Sequence, residues 1–379
     1  MSENVSAADT LVVGGGLVGA ALAYGLARAG ERVTVLDEGD IALRASRGNF
    51  GLVWVQSKGE KMPEYARWTR RSADLWPQFS EELTEASGIA PDYHKPGGLQ
   101  FLFSEEEVET RKAHIARMHN VNGAAGYGAE IIDRTELLKL VPGLGPAVVG
   151  ASYCPHDGHA SPLRLLRGLH ADMAAHGVRY VSDSKVEAVE RDGTGFKVTT
   201  AKGTFRGAKV VLAAGHGNKW LGPSVGLNVP LVPEKGQILV TERLKPLLPM
   251  PTHILRQTEE GTVMLGDSHE NTGYSTESGV PELTRIARDA VKTLPVLAKA
   301  RIIRSWAAVR VLSPDGFPIY QQSESHPGAF SINCHSGVTL AGVHAKVLAP
   351  MLAKGALDPD MDVFSARRFG HGTDENAAH

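Results

Sequence analysis

Cysteine is scarce: among 379 residues there are two, Cys154 and Cys334. They match no zinc, iron–sulfur or redox-pair spacing, which excludes a disulfide framework and fits a reducing compartment. Aromatic residues make up only 6%, and neither sign of charge dominates, with Lys+Arg at 40 against Asp+Glu at 42. This balance excludes a nucleic-acid footprint, and 42% hydrophobic residues exclude a disordered tail protein. A long uninterrupted apolar run is also missing. The longest uncharged stretch, Leu11 to Ala27, is broken by Gly14, Gly15, Gly16 and Gly19, so it reads as strand, turn and helix rather than a membrane span. Met1 to Thr10 carry no positive charge, which argues against a signal peptide. A cytoplasmic protein is expected, reaching a membrane only through partners. Glycine, by contrast, is abundant, with 42 residues and no collagen-like period, so many tight turns or close backbone approaches are required.

A chain of this length exceeds one hydrophobic core and calls for two domains. Asp9 to Val13, Leu17 to Ala29 and Arg32 to Leu36 form a βαβ unit by their periodicity. Pro63 to Ser87 has the spacing of an amphipathic helix, with Tyr65, Trp68, Leu75, Trp76, Phe79 and Leu83 on one face. From Gly97 to about Gly150 come a strand (Gly98 to Phe103), a charged helix (Glu105 to Asn120) and a turn-rich stretch. Leu163 to Gly177 reads as a helix, followed by strands at Val178 to Ser182, Lys185 to Glu190, Gly195 to Thr200 and Ala208 to Ala214. Strands between Val229 and Leu265, broken by prolines, suggest an antiparallel sheet with the Pro281 to Thr293 helix on it. Ala329 to Asn333 and Thr339 to Lys354 close the chain as strand and helix.

Gly14-Gly15-Gly16-Leu17-Val18-Gly19 matches G-x-G-x-x-G. It follows a strand, opens a helix, and is followed roughly 20 residues on by Asp37 at the end of the second strand, which makes it a dinucleotide fingerprint. Gly14 serves the turn, Gly16 admits a pyrophosphate and Gly19 lets helix and strand pack closely. The pyrophosphate then sits on the free N–H groups of the helix start. Asp37 is the expected ribose acceptor, favoured over Glu38 because it directly follows the apolar Val33 to Leu36. The bland reading is a packing turn without nucleotide. Lys209 to Gly215, an apolar strand ending in Ala213-Ala214-Gly215, resembles the second signature of two-dinucleotide-binding FAD enzymes. No second G-x-G-x-x-G for NAD and no redox-pair cysteines are present.

The chain resembles the D-amino-acid oxidase superfamily of FAD enzymes, which includes glycine oxidase and sarcosine oxidase. Beside the fingerprint, the resemblance rests on Pro155-His156-Asp157-Gly158, on Trp306 to Pro318 with its Pro314-Asp315-Gly316, and on Cys334-His335-Ser336-Gly337-Val338-Thr339-Leu340-Ala341. Ser46 to Gln56 and Cys334 to Leu340 are most similar to FAD subunits of opine oxidases, D-hydroxyproline dehydrogenase and hydrogen cyanide synthase, which work with partner chains. The resemblance implies an α/β fold of mixed α+β character: a Rossmann-like FAD domain (1–90, 151–225 and 305–379) interleaved with an antiparallel-sheet substrate domain (91–150 and 226–304). It also implies oxidation of the C–N bond of a small amino or imino acid (glycine, an N-alkyl amino acid, a D-amino acid or an opine) by hydride transfer to flavin N5. Two alternatives stand beside this: a 2-hydroxy-acid dehydrogenase on the same scaffold, and a flavin subunit that functions only in a hetero-oligomer.

Residue roles follow from the same resemblance. Arg310 matches the arginine that clamps substrate carboxylate, a task suited to a planar, permanently charged fork; a structural ion pair is the alternative. Ser46 and Arg47 match contacts to the phosphates or ribityl chain. Gly48, Asn49, Phe50 and Gly51 match the segment along the isoalloxazine, Val186 the strand at the adenine, and Ala214 and Gly215 the second signature. Gly337, Val338, Thr339 and Leu340 match the backbone facing the flavin N1–C2=O edge. His335 is expected at the active site or as a loop-stabilising residue, with Cys334 a small buried hydrophobe. His253, Arg256 and Gln257 belong to a strand that relatives place over the flavin, and Tyr274 is read as a surface residue or lid. Valine, leucine and serine at 311–313, where covalent relatives have cysteine, imply non-covalent FAD. Met264 stands where relatives have an oxygen-activating lysine. No metal site is expected.

Overall fold

The β-branched runs around the glycine turn form strands because each alternates inside a sheet covered on both faces, which suits continuous apolar sequence. The computed structural model describes residues 7–39, 45–122 and 127–370; the expected ends of the cofactor domain, 1–6 and 371–379, lie outside them. Ala8–Val13 pairs in parallel with Val33–Leu36 on one side and with Gly203–Leu212 on the other, with Val12 opposite Val35 and Val211. Arg179–Val181 continues the sheet beyond Val33–Leu36, and Ala329–Asn333 then Ile319–Gln322 continue it beyond Gly203–Leu212. Val186–Asp192 and Gly195–Thr200 form a hairpin on the Gly203–Leu212 strand. The strand expected at Ala208 to Ala214 thus begins earlier and returns beside the first βαβ unit, as the resemblance implied.

The Leu17–Arg28 helix is buried along most of its length. It shares one core with the Pro63–Ser87 helix, which starts at its proline and ends at left-handed Gly88. Tyr65, Trp68, Trp76, Phe79 and Leu83 form its buried stripe, and Leu75 is only partly buried.

A second, antiparallel sheet has Val232–Arg243 at its centre, with Thr262–Leu265 and then Leu255–Gln257 on one side and Ile302–Leu312 along the other edge. The Val280–Thr293 helix packs on it through Ile286 and Ala290. Gly98–Leu102, Gly150–Cys154 and Glu130–Asp133 form a third, three-stranded sheet. Sheet pairing therefore runs across two of the expected domain boundaries. A cut at 151 divides Gly150–Cys154 from the strands it pairs with, and a cut at 305 divides Ile302–Leu312, which pairs with Val232–Arg243 from Leu312 back to Ile302. The motif Trp306 to Leu312 is thus an edge strand of the second sheet. Pro314-Asp315-Gly316 is the turn that leaves it, with Gly316 at φ +77° and Ser313 Oγ donating to Asp315 Oδ1.

The final helix starts at Ala341, two residues after the expected Thr339, and runs to Lys354 through a π-helical turn at His344–Leu348. Among the described residues no helix is long and apolar enough to cross a membrane.

Candidate active site

The nucleotide end is made of backbone. Gly14 adopts φ +103°, and a Cβ there would lie 2.5 Å from the Ala213 carbonyl oxygen. A Cβ on Gly19 would lie 1.8 Å from the Gly14 carbonyl oxygen, so helix and turn can approach this closely only through glycine. Gly16 faces Ser46, whose Oγ accepts from the Leu17 amide at 2.9 Å, which places Ser46 at the helix start. Leu17 itself is buried and Val18 partly so. Asp37 accepts from the Gly15 amide at 2.6 Å and from Gly39 at 2.9 Å, fastening the turn to the end of the second strand. Glu38 is exposed. Arg47 Nε is buried with no hydrogen-bond partner among the described residues, an orphaned donor on the residue after Ser46, which holds the helix start. These features fit an anionic dinucleotide. Val186 is partly buried at the start of its strand, and Ala214 and Gly215 follow the returning strand Gly203–Leu212, Gly215 opening a 3-10 turn, where Asn218 Oδ1 accepts from the Ala214 amide.

A cavity of about 410 Å³ lies between the second sheet, the Gly48–Lys58 segment and the Cys334–Thr339 segment that follows the last strand of the first sheet. One wall carries Gly48, Asn49, Phe50, Leu52 and Trp54, facing Val338 and Thr339. Trp306 Nε1 donates to the Gly48 carbonyl, and a Cβ on Gly48 would collide with Ala308 at 2.3 Å. Gly51, at φ +91°, is held by Asn49 Oδ1, which accepts its amide. Opposite, the carbonyl of Thr339 accepts from Ser72 Oγ and Trp76 Nε1, while Thr339 Oγ1 bridges the Leu52 carbonyl and the Trp54 amide. The carbonyls are thereby turned into the protein, and the amides of Gly337, Val338 and Thr339 have no acceptor within the described residues. Such a row of free N–H groups suits a partial negative charge. Leu340 lies in the core, fully buried, and does not line the cavity.

The far wall is charged. Arg310 lines it with 17% of its side chain exposed. Its Nη1 donates to Glu234 Oε1 at 2.9 Å and to the Ser268 carbonyl at 2.6 Å, and its Nη2 lies 3.3 Å from Asp267 Oδ2. Nε has no partner among the described residues. The guanidinium crosses the neighbouring strand over Gly236, where a Cβ would meet it at 2.6–2.8 Å. His253 and His335 line the same cavity; burial pushes their pKa values down to about 4 and about 3, so both rings are neutral. The Nδ1 of His253 is buried without a partner. Cys334 also lines the cavity, and burial pushes its thiol up to about 12, which favours the protonated form over the nucleophilic thiolate.

Two expected substrate residues sit elsewhere. Arg256 is buried beneath the Phe50–Gly51 segment, its Nε donating to the Phe50 carbonyl at 2.6 Å and Nη2 facing Met264 Sδ, so it supports the wall from behind. Gln257 accepts from the Leu247 amide and does not line the cavity. Tyr274 is exposed and packs edge-on to His216.

Sequence reasoning gave no site role to Lys58, His269, Gly236 or Asp267, all lining this cavity; Gly266-Asp267 has a superficial likeness to the Gly-Asp of flavin hydroxylases but reads as part of a substrate-domain strand. Gly236 left a further signal, a glycine inside a strand, which marks a close approach. Asp267 bridges Arg310 and His269 Nε2 (3.2 Å), while Glu234 accepts from both Arg310 and His269 Nδ1. The side chain of His269, drawn to these carboxylates, has its pKa raised. Asp157, of the Pro155–Gly158 motif, lies behind the wall and accepts from the Val55 and Gln56 amides and from Gln56 Nε2. Burial raises its pKa to about 7, against the pull of those donors.

Comparison with known proteins agrees with this architecture. Residues 9–351 match the DAO family model, described as FAD dependent oxidoreductase. The chain is 46% identical over 364 residues to an opine oxidase subunit from Rhizobium meliloti, covering 95% of this chain and 97% of that protein. It is 26% identical to glycine oxidase of Bacillus licheniformis, with 95% and 97% covered. The crystal structure of glycine oxidase from Geobacillus kaustophilus superposes with a TM-score of 0.86 at 25% identity, over 94% of this chain and 98% of that one. With the glycine cradle, the orphaned Arg47 Nε and the row of free amides all fitting FAD, the chain belongs to the DAO family of FAD-dependent oxidoreductases.

Proposed function

We propose that this enzyme oxidises the C–N bond of a small amino or imino acid to an imine, which water then hydrolyses. The observation that carries the reading is the cavity itself: unengaged backbone amides on one wall, and the Arg310 guanidinium on the other. Bound FAD, held without a covalent link, supplies the two-electron acceptor there. Arg310 takes the substrate carboxylate through its unpartnered Nε and its remaining Nη2 proton, while Glu234, Ser268 and Asp267 hold the fork in place. The substrate gives up a hydride from the carbon next to nitrogen and a proton from nitrogen, leaving C=N. No strong base is required, because the cavity already selects the neutral amine. The burial that keeps His253 and His335 uncharged, reinforced at His335 by Lys58 and Arg310, disfavours an ammonium in the same way. His253 and His335 then act as neutral hydrogen-bonding groups beside the nitrogen.

The chain is also proposed to work with partner chains, since its opine oxidase relative is by name one subunit of a larger enzyme. The long edge strand Ile302–Leu312 supports this, since it leaves Ile302 and Ile303 exposed on an unpaired edge.

The test is anaerobic mixing of the FAD-loaded protein with glycine, N-alkyl glycines, D-amino acids, opines and 2-hydroxy acids while following flavin bleaching. Bleaching by amino or imino acids is expected, and bleaching by 2-hydroxy acids alone would overturn the reading. Arg310→Ala should keep the flavin spectrum and cost the productive substrate about 2–5 kcal/mol in binding, or roughly 30- to 5000-fold. Arg310→Lys should recover only part, lacking the planar fork.

A further inference from the structure

We propose that Ser72 and Trp76, on the helix Pro63–Ser87, are positioning residues for the cofactor: by holding the carbonyls of Val338 and Thr339 they aim the Thr339 amide into the cavity, and so set how readily bound FAD accepts electrons. The proposal rests on the reading that this row of free amides faces the flavin.

The buried stripe of the helix is aromatic or apolar at Tyr65, Trp68, Trp76, Phe79 and Leu83, and seven residues after Tyr65 it carries Ser72 instead. A fully buried hydroxyl is costly unless it is hydrogen-bonded. Ser72 Oγ is bonded twice, donating to the Thr339 carbonyl at 2.6 Å and accepting from the Val343 amide at 3.2 Å. Four residues on, Trp76 Nε1 reaches the same turn, 3.0 Å from the Thr339 carbonyl oxygen and 3.2 Å from that of Val338. Its ring is held by stacking on Tyr93, with centroids 4.8 Å apart. Toward the start of the helix, Tyr65 Oη donates to Ser336 Oγ at 3.1 Å. One face of one helix thus grips the turn through Tyr65, Ser72 and Trp76. The approach is close, since a Cβ on Gly342 would lie 3.1 Å from the Ser72 carbonyl oxygen.

The grip does more than pack the helix. A trans peptide is planar, with its C=O and N–H pointing in opposite directions. The peptide whose carbonyl belongs to Val338 carries the N–H of Thr339, so holding that carbonyl toward Trp76 turns the N–H the other way, and Thr339 lines the cavity. Its side chain is fixed too, with Oγ1 bonded to the Leu52 carbonyl and the Trp54 amide. The Thr339 amide is left without an acceptor among the described residues and without freedom to turn away. FAD that takes up two electrons and one proton gains a negative charge, which a donor fixed in advance stabilises better than one that must reorient. The grip therefore favours the reduced flavin.

The experiment reduces each FAD-loaded variant stepwise with dithionite, without oxygen, beside a dye of matching potential, and reads the flavin-to-dye equilibrium from absorbance. Trp76→Phe keeps an aromatic ring on Tyr93 and leaves neither carbonyl bare, because Val338 still accepts from the Ala341 amide and Thr339 from Ser72. It should shift the equilibrium on the order of 3-fold toward oxidised flavin; with Ser72→Ala added the shift should reach on the order of 10-fold, about 30 mV for a two-electron couple. Leu83→Val, on the same stripe but without a hydrogen bond to the turn, should leave it unchanged. No shift in Trp76→Phe overturns the proposal, even where FAD is lost more readily, and makes the grip structural. A shift of equal size in Leu83→Val overturns it as well. Gly337→Ala, which sets a methyl at the row, separates the proposal from the reading beneath it. If Gly337→Ala moves the equilibrium and Trp76→Phe does not, the amides face the flavin but the helix does not aim them; if neither moves it, the reading of the row falls too.

Discussion

The glycine turn at Gly14–Gly19 and the charged wall around Lys58 and Arg310 bind anions by opposite means. At the turn the donors are backbone amides, the shape comes from missing Cβ atoms, and every contributing residue up to Asp37 lies within one βαβ unit. At the wall the donors are side chains from strands and loops far apart in sequence, and Arg310 and His269 are positioned by the carboxylates of Glu234 and Asp267. A backbone site tolerates almost no added atom but is indifferent to pH. A side-chain site tolerates reshaping but answers to charge.

The largest effect should come from adding one methyl to the turn. Gly19→Ala places a Cβ 1.8 Å from the Gly14 carbonyl oxygen, a backbone atom that cannot step aside without moving the strand. Purified Gly19→Ala protein is expected to carry no FAD, read as the flavin-to-protein absorbance ratio. Retention at the wild-type ratio would erase the contrast between the two regions.

A smaller effect, confined to the charged wall, should appear with pH. The pKa of His253 falls to about 4 in the fold, chiefly through burial, against an ordinary value near 6.5. The neutral ring is thus favoured by folding, so its contribution is complete above about pH 6.5 and is lost as pH falls through 6.5 toward 4. At pH 5 the loss from this one residue amounts to about 2 kcal/mol. Urea midpoints at pH 7.5 and pH 5 should show His253→Asn with a correspondingly flatter acid dependence. An unaltered dependence would mean that the ring takes up its proton in the folded protein.

This difference in construction also explains what could be read from the sequence. The fingerprint, the returning Lys209–Gly215 strand and the helix from Pro63 to Ser87 are local patterns, and the structure has them close to where periodicity put them. Arg256 was misplaced because a strand reading gives alternation without saying which neighbour claims the side chain, here the Phe50 carbonyl. Lys58 was overlooked because nothing local distinguishes a lysine after an apolar run that turns inward from one that turns out. The segment just before it is held by Asp157, a hundred residues away, whose motif was visible while its partners were not. The expected boundary at 305 met a similar difficulty: Trp306 to Leu312 resembles a cofactor-domain motif, yet its strand ladder is to Val232–Arg243.

The smallest expected effect sharpens the comparison most, because it asks whether the second row of amides is a backbone site of the same kind as the first. Gly337 has no positive φ, and a Cβ there would touch only Leu17 Cβ at 3.7 Å and Val18 Cγ2 at 3.9 Å, ordinary contacts that the chain accommodates. Gly337→Ala should therefore leave the FAD-free protein as stable as before, or raise it by about 0.4–1 kcal/mol through the unfolded chain. If the amides of Gly337, Val338 and Thr339 face the flavin, the same methyl stands between donor row and cofactor. FAD should then bind about 1 kcal/mol more weakly, roughly a 5-fold rise in Kd by titration of the stripped protein. The two readouts should part, with chain stability kept and cofactor affinity reduced, whereas at Gly19 they fall together. Unchanged FAD affinity in Gly337→Ala would mean that the row serves only to start the helix at Ala341. The glycine turn would then be the sole backbone-built anion site for the cofactor in the described residues.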